Sequence, residues 1–195
     1  MLLNPAFFER TDVTQIAREL LGCKLFTKID NQLTGGIIVE TEAYSYKERG
    51  CHAYNMKRTA RTQVMFGKPG TLYIYLCYGM YSLVNIVTNK EDVPEAVLIR
   101  AIEPTEGLDF MQTRCAKVKI DRLTAGPGKL TRALGITRNL NGIALTSDLI
   151  WIEKGGQESK SVIVSTTRIG IDYAGDDAQL PWRFYLRGNL WVSKK

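Results

Sequence analysis

Most of the chain shows the alternation of apolar and polar residues that is typical of β-strands. The clearest case is the segment 36–44, where Ile37, Ile38 and Val39 predict a buried strand that then carries two acids and a tyrosine. A polar turn at residues 30–32 joins this strand to the preceding one, so the two are expected to form a hairpin. Strands are predicted at residues 23–29, 33–44, 71–87, 94–102, 149–153, 161–166 and 183–186.

Helical patterns occupy a smaller part of the chain. Residues 12–21 carry apolar residues at helical spacing after a capping Thr or Asp, which predicts a short amphipathic helix. A second helix is expected at residues 103–117 and a third at residues 126–134, which begin with Gly-Pro-Gly-Lys. Residues 45–58 are polar and predict irregular structure, and residues 59–66 predict a short helix or a turn.

The segment 71–87 predicts a second hairpin, with one apolar face and one aromatic face. The pattern breaks at Tyr78, so that residue, Met80 and Tyr81 lie at the expected tip. Tyrosines on strands usually pack as cross-strand pairs. A tip with exposed aromatic residues instead indicates a surface that contacts a partner.

The composition is that of an ordinary globular protein, because 45% of the 195 residues are hydrophobic and 24% are charged. At this length a single domain, residues 1–195, is the simplest organisation. No apolar run approaches the roughly 20 residues that span a bilayer. The first residues also lack the basic segment and apolar core of a secretory signal. We therefore expect a cytoplasmic protein without a membrane partner.

Metal binding is not expected. The chain has four cysteines without a Cys-x-x-Cys pair, and its single histidine, His52, cannot form a histidine-rich site. Scattered cysteines of this kind are typical of reduced thiols in an intracellular protein.

The positive charge is concentrated in two segments of a chain whose net charge is +6. Residues 49–90 contain six basic residues and no acid. Residues 114–132 contain another six, opposed by Asp121 alone. A single basic run is usually a solvated face, but two runs, one of them interleaved with tyrosines, favour contact with a phosphate backbone.

The strand at 36–44 also carries the candidate chemistry. Side chains alternate along a strand, so Glu40, Glu42 and Tyr44 face the same way while the strand stays regular. This arrangement suits an acid or base beside an aromatic stacking surface. The alternative is a solvated strand end, since glutamates are mostly exposed. Arg100, near the end of another predicted strand, is a candidate ion-pair partner for Glu42.

A series of motifs resembles the alkyladenine (3-methyladenine) DNA glycosylase family of vertebrates and many bacteria. In chain order the motifs are Leu-Leu-Gly at 20–22, Val-Glu-Thr-Glu-Ala-Tyr at 39–44, Lys-Pro-Gly-Thr-Leu-Tyr-Ile-Tyr at 68–75, Tyr-Gly-Met-Tyr at 78–81, Leu-Ile-Arg-Ala-Ile-Glu-Pro at 98–104, Gly-Pro-Gly-Lys-Leu at 126–130, Arg-Ile-Gly-Ile at 168–171 and Arg-Phe-Tyr-Leu-Arg-Gly at 183–188. They cover nearly the whole chain. The resemblance implies an α+β fold: one compact mixed domain around a curved, mainly antiparallel sheet, with a hairpin that enters the DNA minor groove.

The resemblance also implies an activity in base-excision repair. Alkylated or deaminated purines such as 3-methyladenine, 7-methylguanine, hypoxanthine and ethenoadenine would be flipped out of damaged double-stranded DNA and released by hydrolysis, without a cofactor. We expect no strand cleavage, because the motifs supply no lysine near Glu42 for a Schiff base. The family suggests a monomer, and the absence of the long vertebrate N-terminal extension suggests a bacterial protein.

Residue roles follow from the resemblance in the same way. Glu42 would activate the water, which Arg100 and the backbone carbonyl of Ile169 would help to hold. The pocket for the flipped base would be lined by Tyr44, His52, Tyr75 and Asn85, and the wedge in the base stack would be Tyr78, with Met80 and Tyr81 beside it. Glu40 would support Glu42.

Some alternatives stay open from the sequence. Lys129 either contacts a phosphate or is merely solvent-exposed, and His52 on its own is more typical of a packing or surface histidine. The basic segments and the aromatic tip would also fit a module that binds modified nucleic acid without cutting it. Action on RNA or on free nucleosides is a weaker alternative.

Overall fold

The computed structural model describes residues 1–156 and 162–194, and its main feature is a sheet of eight strands in which all the pairings between strands are antiparallel. The strand order is β3-β4-β5-β2-β1-β6, and β8 pairs with both β2 and β7. The strands are β1 (Lys24–Ile29), β2 (Gln32–Ser45), β3 (Leu72–Cys77), β4 (Tyr81–Thr88), β5 (Glu95–Glu106), β6 (Ile150–Glu153), β7 (Ile163–Thr166) and β8 (Arg183–Leu186). The predicted α+β class and the mainly antiparallel sheet are confirmed.

The long strand β2 is the centre of this sheet. It is 14 residues long and pairs with β5 from Gly35 to Ser45, while its first residues, Gln32 to Ile37, pair with β1 and the residues from Glu40 to Glu42 pair with β8. A side chain at Gly36 would place its Cβ 2.1 Å from the carbonyl oxygen of Glu103, so only glycine permits this close approach of β2 and β5. The register shifts around Glu40, as in a β-bulge, and such bulges re-aim the side chains that follow.

Three short helices pack on the sheet: α1 (Val13–Glu19), α2 (Leu108–Arg114) and α3 (Pro127–Ala133). The side chain of Asp12 caps α1 by accepting hydrogen bonds from the amides of Thr14 and Gln15. Apolar residues of α1, α3 and the central strands form one fully buried cluster, which includes Ile16, Ile38, Ile102 and Leu130. Among the described residues, none of the helices combines the length and the apolar character needed to span a bilayer.

Several boundaries differ from the predictions. The helix expected at 103–117 is wrong over its first residues, because β5 continues to Glu106 by pairing with Gly35, Gly36 and Ile37 of β2. The helix starts only after Gly107, whose φ of 69° ends the strand, and it ends at Arg114. The other strands lie close to their predicted positions. Residue 161, the first of one predicted strand, lies outside the described residues.

The second predicted hairpin is formed by β3 and β4. Cys77 pairs with Tyr81, so the turn consists of Tyr78, Gly79 and Met80. Both Tyr78 and Gly79 have positive φ, at 51° and 70°. Of β4, the residues from Asn85 to Thr88 pair with β5, so the end of the hairpin with its aromatic residues extends past β5. Residues 78–81 are called the hairpin tip below.

Candidate active site

Both glutamates of the central strand are fully buried, at 0% relative exposure. The solvated strand end that the sequence left open is therefore wrong for Glu40 and Glu42. Buried carboxylates require charged or hydrogen-bonding partners, because unpaired burial of charge is costly. Two buried arginines, Arg100 and Arg183, supply the opposite charge. These four residues are called the acidic centre below.

Glu42 is held by three donors from three separate parts of the chain. Its Oε1 accepts a hydrogen bond of 2.8 Å from the backbone amide of Ile169, and its Oε2 accepts one of 2.8 Å from the hydroxyl of Tyr44. Nη1 of Arg100 lies 3.2 Å from the same Oε2. The carboxylate is therefore fixed in position and orientation.

Glu40 is held by a different set of partners. Its Oε1 accepts from Nη1 of Arg183 at 2.7 Å, from Nε of Arg100 at 3.1 Å and from the hydroxyl of Ser193 at 2.9 Å. Its Oε2 accepts from the amide of Ser193 at 2.7 Å. Four donors on one buried carboxylate, two of them arginines, indicate a structural and orienting function for Glu40.

Arg100 joins the two carboxylates. It lies within β5 and not near the end of a strand, because β5 continues six residues beyond it. Burial alone would lower the pKa of its guanidinium, but Glu42 and Glu40 raise that pKa above its usual value. The same neighbourhood acts on Tyr44, whose pKa is raised well above its usual value by burial and by Glu42. Tyr44 therefore stays protonated, and its hydroxyl donates a hydrogen bond to Glu42.

A cavity of about 620 Å³ lies beside the acidic centre. Three of its lining residues, Tyr44, Arg100 and Ile169, are the partners of Glu42. The remaining residues predicted for the base pocket, and the predicted wedge, also line it: His52, Tyr75, Asn85 and Tyr78. The structure thus brings these predicted residues together around one cavity, whereas Glu42 itself, Met80, Tyr81 and Lys129 are not among the residues that line it.

One wall of the cavity is aromatic. The ring centroid of His52 lies 4.6 Å from that of Tyr75 in an edge-to-face arrangement, and Nδ1 of His52 is 2.9 Å from the hydroxyl of Tyr73. Burial and the charge of Arg61 lower the pKa of His52 to about 4, so its ring is neutral near pH 7. Burial raises the pKa of Tyr73 to about 12 and that of Tyr75 further. The wall therefore presents neutral aromatic rings.

Asn85 lies on β4 directly opposite Tyr73 of β3. Its side chain is 3% exposed, and its amide nitrogen donates to the backbone carbonyl of Tyr73 at 3.1 Å. This hydrogen bond fixes the amide at the wall of the cavity.

The loop that carries His52 is fixed by a buried ion pair that sequence reasoning missed. Arg168 donates two hydrogen bonds of 2.7 Å to the carboxylate of Glu48 and one of 3.0 Å to the carbonyl of Ala43. Arg168 directly precedes Ile169, so the pair connects the loop with the amide that binds Glu42. Arg168 belongs to one of the recognised motifs, but no pattern in the sequence marks Glu48.

The lining residues that were not predicted include Arg61, Tyr73 and Tyr173. Tyr173 is 67% exposed, and its hydroxyl donates to the carbonyl of Gly50 at 3.1 Å, which ties the two segments at the cavity mouth together. Tyr73 could have been found because it lies two residues before Tyr75, and side chains two residues apart on a strand share a face. The only indication for Arg61 in the sequence was its place in the basic segment 49–90.

The hairpin tip is exposed. Relative exposure is 87% for Tyr78, 68% for Met80 and 45% for Tyr81. Tyr81 packs against Gly128 of α3, where a Cβ would come within 2.9 Å of its ring. Lys129, the next residue of that helix, is exposed, so the two interpretations of this lysine both stay open.

Comparison with known proteins is consistent with this geometry. The model of the family described as "Methylpurine-DNA glycosylase (MPG)" matches residues 6–190. A protein of Bacillus thuringiensis (strain Al Hakam) named "Putative 3-methyladenine DNA glycosylase" is 45% identical over 206 aligned positions, which cover 100% of both chains. Proteins of the same name from Bacillus cereus (strain ATCC 14579) and Bacillus anthracis (strain CDC 684) are 44% identical with the same coverage. The aligned ranges cover the segments that form the acidic centre, the cavity and the hairpin tip.

Proposed function

The chain belongs to the methylpurine-DNA glycosylase family and is a DNA glycosylase, and from that premise we propose a specific reaction and specific residue roles. The substrates are alkylated or deaminated purines of the class of 3-methyladenine, 7-methylguanine, hypoxanthine and ethenoadenine in duplex DNA. The reaction is hydrolysis of the N-glycosidic bond by a water that Glu42 activates, and it leaves the DNA strand intact.

The observation that carries this proposal is the position of Glu42. Its carboxylate is fully buried and held by three donors, each of which belongs to a residue that lines the cavity. A cavity of about 620 Å³ is within the ordinary range of small-molecule sites and is large enough for a purine with its sugar. A fixed carboxylate beside such a cavity is the arrangement that general-base hydrolysis requires.

Reaching this cavity requires that the nucleotide leave the helix, since the bond to be broken is inaccessible in stacked DNA. Flipping costs a few kcal/mol, and a side chain that fills the gap offsets part of that cost. Tyr78 is suited to this function, because it is exposed at the hairpin tip and also lines the cavity. Met80 and Tyr81 would extend the contact along the minor groove.

The flipped base would stack between the rings of Tyr44 on one side and Tyr75 with His52 on the other. Stacking on an aromatic side chain is worth about 1–3 kcal/mol per base and tolerates different bases. Electron-poor or cationic alkylated purines gain more from the aromatic faces. Asn85 would restrict which exocyclic groups the wall accepts.

In the chemical step the water oxygen forms a bond to the sugar C1′ while the bond from C1′ to the base nitrogen breaks. The bonding electrons leave with the base, and Glu42 takes a proton from the water. Arg100 and the carbonyl of Ile169 would hold the water, and the carboxylate would also stabilise positive charge that develops on the sugar. An alkylated purine is a good leaving group, so strong acid catalysis of its departure is less necessary.

Retention of an intact strand follows from the residues at the cavity. A lysine that attacked C1′ would form a Schiff base and lead to strand cleavage. In the part of the chain that the structure describes, no lysine lines the cavity. The products would therefore be a free base and an abasic site.

The test is to incubate the protein with duplexes that contain hypoxanthine or 7-methylguanine, and to measure both free base and strand length. We expect free base with full-length strands, which break only after alkali treatment. Tight binding without free base would instead support a binding module. Equal release from a free nucleoside and from a duplex would remove the need for a wedge at Tyr78.

A further inference from the structure

Arg61 lies at the cavity in an unusual position for a charged residue. The centre of its guanidinium is 5.0 Å from the ring centroid of Tyr75, and its Nη2 is 3.2 Å from Nε2 of His52. It also lines the cavity. A cation therefore lies against the rings of His52 and Tyr75. In the proposed function these two rings form one side of the stacking site, and Tyr44 forms the other.

The charge of Arg61 is not neutralised by a neighbouring acid. Among the described residues, no carboxylate lies within ion-pair distance of its guanidinium. By contrast, Arg100, the other arginine of the cavity, contacts both Glu40 and Glu42. The aromatic wall thus carries one positive charge without a neighbouring acid, whereas the positive charge of Arg100 is paired with two carboxylates.

Of the described residues that form the aromatic wall, Arg61 is the one that carries this charge. His52 lies between it and Tyr73, and burial together with Arg61 keeps the ring of His52 neutral. Nε2 of that neutral ring accepts a hydrogen bond from Arg61, which holds the guanidinium over Tyr75.

The two classes of purine in the proposed reaction differ in charge. A purine alkylated at N3 or N7 within a nucleotide is a cation, whereas hypoxanthine and ethenoadenine are neutral and offer hydrogen-bond acceptors. A neutral base also develops negative charge as it leaves, which a nearby cation stabilises. We propose that Arg61 sets the lesion preference of this enzyme, by disfavouring cationic bases and favouring neutral ones at the aromatic wall.

This proposal rests on the proposed function of the cavity. The size of the expected effect on the rate constants follows from electrostatics. Two unit charges about 6 Å apart in a largely aqueous environment repel each other enough to change a rate constant by roughly three- to tenfold, less at high salt. Because Arg61 is exposed, the lower half of that range is the expectation.

The experiment compares wild type, Arg61→Gln and Arg61→Lys on two duplexes, one with hypoxanthine and one with 7-methylguanine, after subtraction of non-enzymatic base loss. The measured quantity is the ratio of kcat/KM for hypoxanthine to that for 7-methylguanine. Arg61→Gln should lower this ratio about three- to fivefold, and Arg61→Lys should retain most of the wild-type ratio. Raising the salt concentration should bring the wild-type ratio towards that of Arg61→Gln.

The chain offers a matched control in Arg58. This arginine also stacks on an aromatic ring, that of Phe66, but it pairs with Asp92 and does not line the cavity. Arg58→Gln should leave the ratio unchanged. An equal loss on both lesions in Arg61→Gln would mean that Arg61 contacts a phosphate and would overturn the proposal, as would an unchanged ratio. If the wild type releases neither base, the proposed function itself fails, which is a distinct result.

Discussion

The acidic centre and the hairpin tip are built in opposite ways, although both lie at the same cavity. At the acidic centre every carboxylate oxygen of Glu40 and Glu42 has at least one donor, and the relative exposure of the four residues is 6% or less. At the hairpin tip Tyr78 is 87% exposed, and a Cβ at the neighbouring Gly79 would meet no atom within 4 Å. The acidic centre is fixed by contacts within the protein, whereas the hairpin tip is open to contact with a partner.

This difference matches what each step of the reaction needs. Hydrolysis gains from a base that is held in place before the substrate arrives, because no reorganisation is then needed in the transition state. Insertion into DNA instead needs an accessible side chain that fills a gap formed on binding. Substitutions in the acidic centre should therefore affect chemistry and folding, whereas substitutions at the tip should affect DNA binding and base flipping.

The largest effect should come from Glu42→Gln. We expect the single-turnover rate of base release to fall by about 10²- to 10⁴-fold, the usual contribution of a general base. Glu40→Gln should lower the rate less, because Glu40 acts through Arg100. Rates should be measured where circular dichroism shows each variant to be folded. A greater loss in Glu40→Gln than in Glu42→Gln would mean that the catalytic carboxylate has been assigned wrongly.

The second effect concerns folding. Glu40→Gln removes the negative charge that Arg183 contacts at 2.7 Å and, among the described residues, leaves that buried guanidinium without a charged partner. Loss of one partner of a buried ion pair costs about 3–5 kcal/mol. Denaturant unfolding should show this loss of stability, while Met80→Ala at the tip should change the free energy of unfolding by less than about 0.5 kcal/mol. Equal stability of the two variants would remove the contrast between the regions.

The third effect is on binding. Tyr78→Ala should weaken the affinity for a lesion duplex by about 1–3 kcal/mol, or roughly 5- to 150-fold, since one stacking contact is lost. Fluorescence anisotropy with an undamaged duplex as control measures this change. Stability should stay at the wild-type value, and a large drop in the free energy of unfolding would show that Tyr78 packs within the protein.

The smallest effect is a pH dependence confined to the buried part of the site. The pKa of His52 is lowered to about 4 by burial and by Arg61, below its value of 6.5 in the unfolded chain. The unfolded state therefore binds more protons between these values, so stability is complete above pH 6.5 and falls as the pH drops towards 4.

His52→Gln removes this proton uptake. The stability advantage of wild type over His52→Gln should therefore shrink by about 1–2 kcal/mol between pH 7 and pH 4.5. The expected change is no larger because the ring is partly exposed, and solvent screens its interactions. Urea unfolding at both pH values checks this. An advantage that grows on acidification would show that His52 is stabilised as a cation.

The strands were predictable because their signal is local. Alternation along residues 24–29, 72–77 and 81–88 marks strands whatever they pair with, and the structure confirms them. The segment 103–106 was assigned wrongly because a charged, proline-containing stretch shows no strand pattern of its own. It is a strand because Gly35 and Gly36 let its backbone pair with β2, and a pairing partner some 70 residues away is not visible in a local pattern.

The site was predictable to the extent that its residues lie in motifs. Motif similarity placed Glu42, Tyr44 and Arg100 together, and the structure shows them in contact. It did not show that Glu40 is fully buried, because the partners that bind its carboxylate include Arg183 and Ser193 from the end of the chain. The loop from Ser45 onward has no periodicity, so the Glu48 pair and the position of Arg61 were beyond prediction.

The most direct test measures single-turnover base release from a hypoxanthine duplex and from the same base in an unpaired position, with wild type, Glu42→Gln and Tyr78→Ala. The assignment of the two regions predicts that Tyr78→Ala regains most of the wild-type rate on the unpaired base, where less flipping is needed. Glu42→Gln should stay slow on both substrates while still binding them. Undiminished base release by Glu42→Gln on either substrate would contradict the assignment of Glu42 as the base.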